Sequence, residues 1–231
     1  RIDSLITKNK IKSYDEYIEA IKSDKKMLDD FVTYLTINVS EFYRNPEQWK
    51  LLENEILPYL FERFGNNLKI WSAACSTGDE PYTLVMLLSK FIPLNKIKVI
   101  ATDLDRVVLE KAHIGLYDEK SLKGLPKEYI TKYFTKVGTK SYQISDDIKK
   151  CVEFKQHNLL KDSYPSDCNM IICRNVMIYF TEEAKAEIYK KFNASLKSDG
   201  ILFVGSTEQI ISPGDSGFST YKSFFYKKAA R

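Results

Sequence analysis

The sequence predicts an α/β fold built on a doubly wound, mostly parallel sheet with an antiparallel edge strand. Three observations support this prediction. Short apolar runs alternate with helical segments in the second half of the chain, which is typical of a parallel sheet covered by helices on both faces. The first run, 68–74, passes through a single glycine, Gly78, into an apolar helix at Pro81. The aromatic stretch 218–228 is β-prone and indicates the antiparallel edge.

The remaining elements can be placed in chain order. Apolar residues at helical spacing over 14–35 predict one or two amphipathic helices, and 36–45 is interpreted as a linker because it has no clear periodicity. Asn45 and Pro46 suit the N-cap and first turn of the next helix, in which Pro58 is expected to produce a kink. Further strands are predicted at 97–103, 152–158, 169–174 and 200–206, and further helices at 81–91, 105–114 and 182–196.

Residues 121–150 interrupt the alternation of strands and helices. They are polar and contain a helical piece at 126–134 and a hairpin signal around Gly138, so we interpret them as a small inserted β-subdomain. The insertion lies within a main domain that we place at 37–231. Residues 1–36 are interpreted as an N-terminal helical domain, which we expect to be truncated. Its lysines form either a solvated helical face or a surface for an acidic partner.

Composition and charge argue against several classes of function. The 231 residues are 44% hydrophobic and 29% charged, and the net charge of +4 does not indicate a nucleic-acid partner. The four cysteines form no CxxC pair and the chain has two histidines, so we expect no metal site and no histidine-based triad. No apolar run reaches membrane-spanning length, and free thiols within apolar runs are typical of a reducing compartment. We therefore expect a cytoplasmic protein that does not insert into membranes. Our expectation for its oligomeric state is a monomer.

The loop after the first predicted strand indicates the kind of ligand. A strand, a tight turn at Gly78 and a helix N-terminus place a nucleotide-like ligand against backbone N–H groups. Asp79 and Glu80 follow the glycine, where a phosphate-binding loop has neutral or basic residues. Because two acids repel a pyrophosphate and attract a cation, the loop favours S-adenosylmethionine over NAD or ATP.

Polar residues at the ends of later strands are candidate ligand contacts. Asp103 can accept hydrogen bonds from both ribose hydroxyls, or it can cap the following helix. Asn158 can face an adenine ring, or it can bond its own backbone in a turn. Arg174 and Asn175 interrupt an apolar run, which core packing does not explain, although Arg174 could also form a structural salt bridge. Tyr179 is either a pocket hydroxyl or an amphipathic core aromatic.

Four stretches stand out by their order and spacing. They are Asn-Val-Ser-Glu-Phe-Tyr-Arg at 38–44, Trp-Ser-Ala-Ala-Cys-Ser-Thr-Gly-Asp-Glu-Pro-Tyr at 71–82, Ala-Thr-Asp-Leu-Asp at 101–105 and Cys-Arg-Asn-Val-Met-Ile-Tyr-Phe at 173–180. Together they resemble the CheR-type chemoreceptor glutamate methyltransferases over roughly residues 30–228. The resemblance implies a Rossmann-like, class I methyltransferase that uses S-adenosylmethionine to esterify glutamates on the cytoplasmic helices of chemoreceptors. Asp79 departs from the usual glutamate, and Gly-Ser-Thr-Glu at 205–208 from the usual Gly-His-Ser-Glu.

The resemblance also implies roles for individual residues. It places cofactor contacts at Asn38, Ser40, Arg44, Ala73, Gly78, Glu80, Asp103, Asn158, Leu159, Arg174 and Asn175. It implies that Arg44 and Tyr179 face the reacting groups, and that the N-terminal helices contact the receptor. In some members the β-subdomain grips a receptor's C-terminal pentapeptide. The short loop around Gly138 favours a member that does not depend on this peptide.

Three other functions compete with this one. A methyltransferase for nucleic-acid amines would carry an Asn/Asp-Pro-Pro-Tyr/Phe loop after the fourth strand, where this chain has Arg-Asn-Val-Met-Ile-Tyr. A catalytically silent sensor of S-adenosylmethionine is disfavoured because Arg44 and Tyr179 are both present. A dehydrogenase is disfavoured because the GxGxxG pattern is missing.

Overall fold

Ten helices and ten strands occur in the computed structural model, which describes residues 2–36 and 39–229. The strands are β1 (Ile70–Ala73), β2 (Val99–Asp103), β3 (Leu116–Asp118), β4 (Phe134–Val137), β5 (Ser141–Ile144), β6 (Val152–Gln156), β7 (Cys168–Cys173), β8 (Leu196–Val204), β9 (Phe218–Lys222) and β10 (Phe225–Lys228). The helices are α1 (Ile2–Lys8), α2 (Tyr14–Ser23), α3 (Lys25–Leu35), α4 (Pro46–Leu51), α5 (Leu57–Phe64), α6 (Asp79–Leu88), α7 (Arg106–Ile114), α8 (Lys127–Tyr133), α9 (Asp146–Lys149) and α10 (Glu182–Ser195). In these ranges, no helix combines the length and the apolar character needed to cross a membrane.

The central sheet has seven strands in the order β6-β2-β1-β7-β8-β10-β9. Its first five strands are parallel to one another. At the edge, β10 pairs antiparallel with both β8 and β9, so the predicted fold class is confirmed. The strand order reverses between β1 and β7, and ligands bind outside the carboxyl ends of the strands at such a switch point. The prediction of one strand over 218–228 is wrong, because the chain turns at Ser223 and Phe224 and forms a hairpin. Phe224 has a φ of 68°, a left-handed conformation that is uncommon for phenylalanine, so the sequence does not predict the turn.

Both faces of the central strands are buried, which explains their continuous apolar runs. Every residue of β1 and β7 is buried. Successive residues alternate between two cores: Ile70 enters the core on one face, and Trp71 enters the core on the other. The indole N–H of Trp71 donates to Thr102 Oγ1 at 2.9 Å, which satisfies the buried donor. This packing fixes the strand ends at which a ligand site can form.

A widened helical turn accommodates Pro58. The turn Leu52–Ile56 is π-helical and joins α4 to α5 immediately before the proline. Because proline has no backbone N–H, the ordinary bonding pattern is interrupted there, and a π turn absorbs the change. Asn45 does occupy the N-cap position of α4, but it has a φ of 60° and its side chain makes no capping bond. The predicted N-cap position of Asn45 is therefore confirmed, but its side chain bonds another partner, described below.

A second, antiparallel sheet has the order β3-β5-β4. Its hairpin, β4–β5, lies within 121–150 as predicted, but β3 precedes this range and pairs with β5. The bounds 121–150 of the inserted subdomain stay a prediction. At the N-terminus, α3 lies against α7, where Thr33 Oγ1 donates to Asp105 Oδ1 at 3.1 Å. The division into domains at 36 stays a prediction.

Gly78 provides the first prediction, because it forms the N-cap of α6 with a φ of 88°. A Cβ at this position would lie 3.0 Å from Ala112 Cβ and 3.1 Å from Tyr82 Cε2. We expect Gly78→Ala to lower the free energy of unfolding by about 1–3 kcal/mol, through left-handed strain and crowding together. Gly138→Ala is the matched control, since Gly138 has a φ of 65° and a Cβ added there would meet no atom within 4 Å. If urea denaturation showed the same loss of unfolding free energy in both variants, crowding would not contribute at Gly78.

Candidate active site

A cavity of about 360 Å³ opens at the carboxyl ends of the central strands. Nine of the predicted site residues line it: Ser40, Arg44, Glu80, Asp103, Asn158, Leu159, Arg174, Asn175 and Tyr179. Asn38 lies outside the described residues. Ala73 is fully buried as the last residue of β1, and Gly78 caps α6, so neither is among the residues that line the cavity. The structure thus brings together residues that are far apart in the sequence.

The loop between β1 and α6 forms one wall of this cavity. Ala74, Ser76 and Gly78 all have positive φ values, which turn the chain sharply after the strand. Ala74, Cys75 and Ser76 line the cavity. The hydroxyl oxygen of Ser76 is buried and has no hydrogen-bond partner within the described residues, so it remains available to a ligand.

Asp103 stands at the end of β2, with its side chain turned to this loop. Its Oδ2 accepts the N–H of Ser76 at 2.8 Å, and its Oδ1 accepts the N–H of Asp105 at 2.9 Å. The residue is 8% exposed, and burial raises the pKa of its carboxyl above the ordinary value. The alternative role of helix cap falls to Asp105, whose Oδ1 accepts the N–H of Val107 at 2.8 Å. A carboxylate has about four acceptor positions, so Asp103 retains acceptor capacity for ligand hydroxyls.

Of the two acids after Gly78, only Glu80 lines the cavity. Its Oε1 accepts from Ser72 Oγ at 2.8 Å, and its Oε2 lies 3.5 Å from Arg174 Nη1. Burial raises the pKa of the Glu80 carboxyl, whereas the charge of Arg174 acts in the opposite direction. Asp79 instead accepts a hydrogen bond from Thr77 Oγ1 at 2.5 Å, within the loop. Glu80 is therefore the acid in a position to face a ligand, whereas Asp79 bonds within the loop.

Arg174 connects the end of β7 to the start of α4. Its side chain is 2% exposed, and its guanidinium carbon lies 4.8 Å from the ring centre of Phe203. Burial lowers the pKa of the guanidinium from its ordinary value. The Nη2 group donates to the carbonyl oxygen of Arg44 at 2.9 Å, Asn45 Oδ1 at 3.1 Å and Gln48 Oε1 at 2.7 Å. Arg174 therefore has both roles considered for it, a buried ion pair and a position on the cavity.

The loop after β6 forms the opposite wall. Asn158 Oδ1 accepts the N–H of Leu160 at 2.9 Å, which is the turn considered for it, while Asn158 also lines the cavity. Leu159 is buried beside it, and its carbonyl accepts from Tyr164. The ring of His157 packs edge-on against Trp71, and its Nε2 lies 3.2 Å from a backbone carbonyl oxygen. These contacts fix the ring of His157, which also lines the cavity.

Tyr179, which lines the cavity, and Glu208, which bonds the loop beside it, differ in how far the sequence predicts them. Tyr179 is 52% exposed at the end of a 3-10 turn, which agrees with a pocket hydroxyl and not with a core aromatic. Glu208 stands out in the sequence only as part of a motif, yet it is buried and accepts three backbone N–H groups beside Asn175. A glutamate three positions after Gly205 is the one signal in the sequence that could have identified it. Gln48, a partner of Arg174, has no signal at all.

The geometry above can be compared with known proteins. A family model described as CheR methyltransferase, SAM binding domain, matches residues 38–224. The chain belongs to the CheR family. A chemotaxis protein methyltransferase of Listeria monocytogenes is 41% identical over 228 residues, covering 99% of this chain and 87% of the relative. One from Borreliella burgdorferi is 35% identical over 222 residues, covering 91% and 78%. The predicted family is confirmed, and the enzyme is an S-adenosylmethionine-dependent methyltransferase.

The cavity of this CheR family member fits S-adenosylmethionine by the chemistry of its donors and acceptors. Glu80 supplies negative charge, which suits the ammonium and sulfonium groups, and Asp103 retains free acceptor positions for ribose hydroxyls. Arg174 Nε is buried without a hydrogen-bond partner in the described part of the chain, as is Ser76 Oγ. Both are suited to polar atoms of the ligand. No group of three metal-ligating side chains occurs among residues 2–36 and 39–229.

Proposed function

We propose that this enzyme transfers the methyl group of S-adenosylmethionine to glutamate side chains on the cytoplasmic helices of chemoreceptors. One observation carries the proposal: a guanidinium and a phenol, those of Arg44 and Tyr179, both line the cofactor cavity. Within the described residues, the Arg44 side chain makes one long hydrogen bond, to the carbonyl of Val39 at 3.4 Å. Its other donors suit a carboxylate. The names of the relatives, chemotaxis protein methyltransferases, support the same substrate.

Methyl transfer to a carboxylate requires the enzyme to align the two reacting groups and does not require a proton transfer. When bound, S-adenosylmethionine supplies an electrophilic methyl group on a sulfonium. A glutamate carboxylate is already ionised at neutral pH, so no side chain has to remove a proton. Arg44 would hold the acceptor carboxylate by a charge-assisted pair, and Tyr179 would orient one of its oxygens. Leu159 and the other apolar residues of the cavity would exclude water from the reacting groups.

The same proposal assigns the cofactor contacts. They are Asn38, Ser40, Arg44, Ala73, Gly78, Glu80, Asp103, Asn158, Leu159, Arg174 and Asn175. Asp103 would accept from the ribose hydroxyls, and Glu80 would balance the cationic end. Arg174 Nε would donate to the cofactor's carboxylate. Ala73 and Gly78 would act through the backbone, because their side positions lie within the fold.

The partner and location belong to this proposal as well. The helices in 1–36 would contact the receptor, and their exposed lysines suit an acidic surface. The main domain would span 37–231 and include the inserted β-subdomain, whose short loop at Gly138 suits recognition without a C-terminal pentapeptide. The enzyme would act in the cytoplasm, because the receptor segments that it methylates are cytoplasmic. It would act there as a monomer.

Arg44→Ala provides the second prediction. Because a hydrogen bond between charged groups contributes about 1.5–3 kcal/mol, we expect methyl transfer to fall by about 10- to 100-fold. The measurement is transfer from radiolabelled S-adenosylmethionine to receptor-containing membranes, scored as methanol released by base. Arg63→Ala is the control, since Arg63 pairs with Asp199 and is 57% exposed. Normal turnover and normal cofactor affinity in Arg44→Ala would contradict the role of Arg44.

The nature of the label separates this function from the alternatives. Base-labile label on receptor membranes is expected, because methyl esters hydrolyse in base. Label that resists base would indicate an amine acceptor and would contradict the proposal. No transfer to any receptor membrane, together with tight cofactor binding by calorimetry, would favour the silent sensor.

A further inference from the structure

Glu208 is a buried acid with no place in the proposed chemistry. It lies in the loop after β8 and is 6% exposed. Its Oε2 accepts the N–H groups of Asn175 at 2.5 Å and Gly205 at 2.9 Å, and its Oε1 accepts the N–H of Met177 at 2.7 Å. One carboxylate thus joins the loops that follow two neighbouring strands, β7 and β8.

Gly205 makes this junction possible. A Cβ at position 205 would lie 2.5 Å from Glu208 Oε2 and 2.9 Å from the backbone nitrogen of Asn175. Atoms this close would force the two loops apart. The glycine is therefore required here by close approach and not by a left-handed backbone.

The loop that Glu208 holds carries several residues of the cavity wall, Asn175 and Tyr179 among them. Asn175 has a φ of 60°, a conformation that is uncommon for a residue with a side chain. The chain then enters the 3-10 turn Met177–Tyr179, which ends with the tyrosine at the cavity. The bonds from Glu208 fix the backbone on both sides of Val176, and so they set where Asn175 and Tyr179 stand.

We propose that Glu208 is a positioning residue for methyl transfer, which fixes Asn175 and, through the following turn, Tyr179 against the cofactor cavity. The proposal rests on the proposed function of that cavity. The acceptor-only character of the carboxylate is what the site requires. A glutamine of the same shape has one oxygen and one NH₂ group, so its NH₂ would face at least one backbone N–H donor.

Glu208→Gln is the first variant, with affinity for S-adenosylhomocysteine measured by calorimetry and kcat and KM measured with S-adenosylmethionine. We expect the affinity to fall about tenfold, the factor for one charge-assisted hydrogen bond, and kcat to fall with it because Tyr179 moves. Glu182→Gln is the control, since Glu182 is 85% exposed and pairs only with Lys185 among the described residues. Unchanged affinity in a folded Glu208→Gln would overturn the proposal.

A double-variant cycle separates positioning from a general loss of stability. If Glu208 acts through Asn175, Glu208→Gln should weaken S-adenosylhomocysteine binding less than twofold in an Asn175→Ala background. The same tenfold loss in both backgrounds would overturn the proposal. If Glu208→Gln does not fold, the cycle is repeated with Glu208→Asp, which keeps an acceptor-only group on a shorter side chain, and the same criterion applies. Because calorimetry needs no methyl acceptor, this result is independent of whether receptors are the substrate.

Discussion

Arg174→Met is expected to lower the free energy of unfolding by about 3–5 kcal/mol, because it removes one partner of a buried ion pair. Glu80 Oε2 lies 3.5 Å from Arg174 Nη1, and in the variant Glu80 would keep only Ser72 as a described side-chain partner. Burial already raises the pKa of Glu80 in the presence of the arginine. Urea denaturation followed by circular dichroism measures the change.

The same variant is expected to lose methyl transfer, even under conditions where it remains folded. Arg174 Nη2 holds the carbonyl of Arg44 and the side chains of Asn45 and Gln48, so its loss releases the start of α4. Arg174→Lys keeps the charge but lacks the planar fork of donors. We therefore expect Arg174→Lys to be more stable than Arg174→Met and similarly impaired in methyl transfer.

Two comparisons test this explanation. Arg174→Met combined with Glu80→Gln is expected to be more stable than the sum of the single variants, because it removes the unpaired charge. Additive losses would show that the two residues are not coupled. Arg63→Met is the surface control, since the Arg63 side chain is 57% exposed and Asp199 would keep Lys227 as a partner. Ion pairs near the surface contribute about 0–1 kcal/mol.

The sequence was sufficient to predict the central sheet because burial determines both the strands and their composition. β7 is buried along its whole length, and a short apolar run of this kind is typical of a strand in a sheet that is covered on both faces. The hairpin at the C-terminal edge was not predictable in the same way. Its turn contains Phe224 in a left-handed conformation, where a glycine or asparagine would have signalled the turn.

The part of the candidate site that polar residues at the ends of strands form could be predicted from the sequence. Asp103 and Asn175 follow apolar runs, and topology brings such positions together at one edge of the sheet. Partners supplied from distant segments were not predictable. Gln48 accepts from Arg174 across 126 positions of sequence, and nothing in the local pattern of α4 signals this contact. Glu208 could be noticed only as part of the motif at 205–208, because its partners are backbone groups that have no sequence signature.

Asp103→Asn is expected to weaken binding of S-adenosylhomocysteine by about 10- to 100-fold, the factor for lost hydrogen bonds to a charged acceptor. Both carboxylate oxygens already accept a backbone N–H, from Ser76 and from Asp105. An asparagine would turn its NH₂ group towards one of these donors and would have fewer acceptor positions left for a ribose. Calorimetry measures the affinity, and Asp146→Asn is the control because Asp146 is 78% exposed.

A ligand lacking one ribose hydroxyl makes this test specific for the role of Asp103. If the carboxylate accepts from the ribose, the unsubstituted enzyme should bind the 2′-deoxy analogue of S-adenosylhomocysteine about tenfold more weakly than the parent compound. Asp103→Asn should bind the two ligands almost equally, since the group that distinguishes them is gone. If Asp103→Asn still prefers the parent compound, another residue recognises the ribose. Asp103 would then serve only to hold the loop after β1, because its bonds to Ser76 and Asp105 form whether or not a ligand is bound.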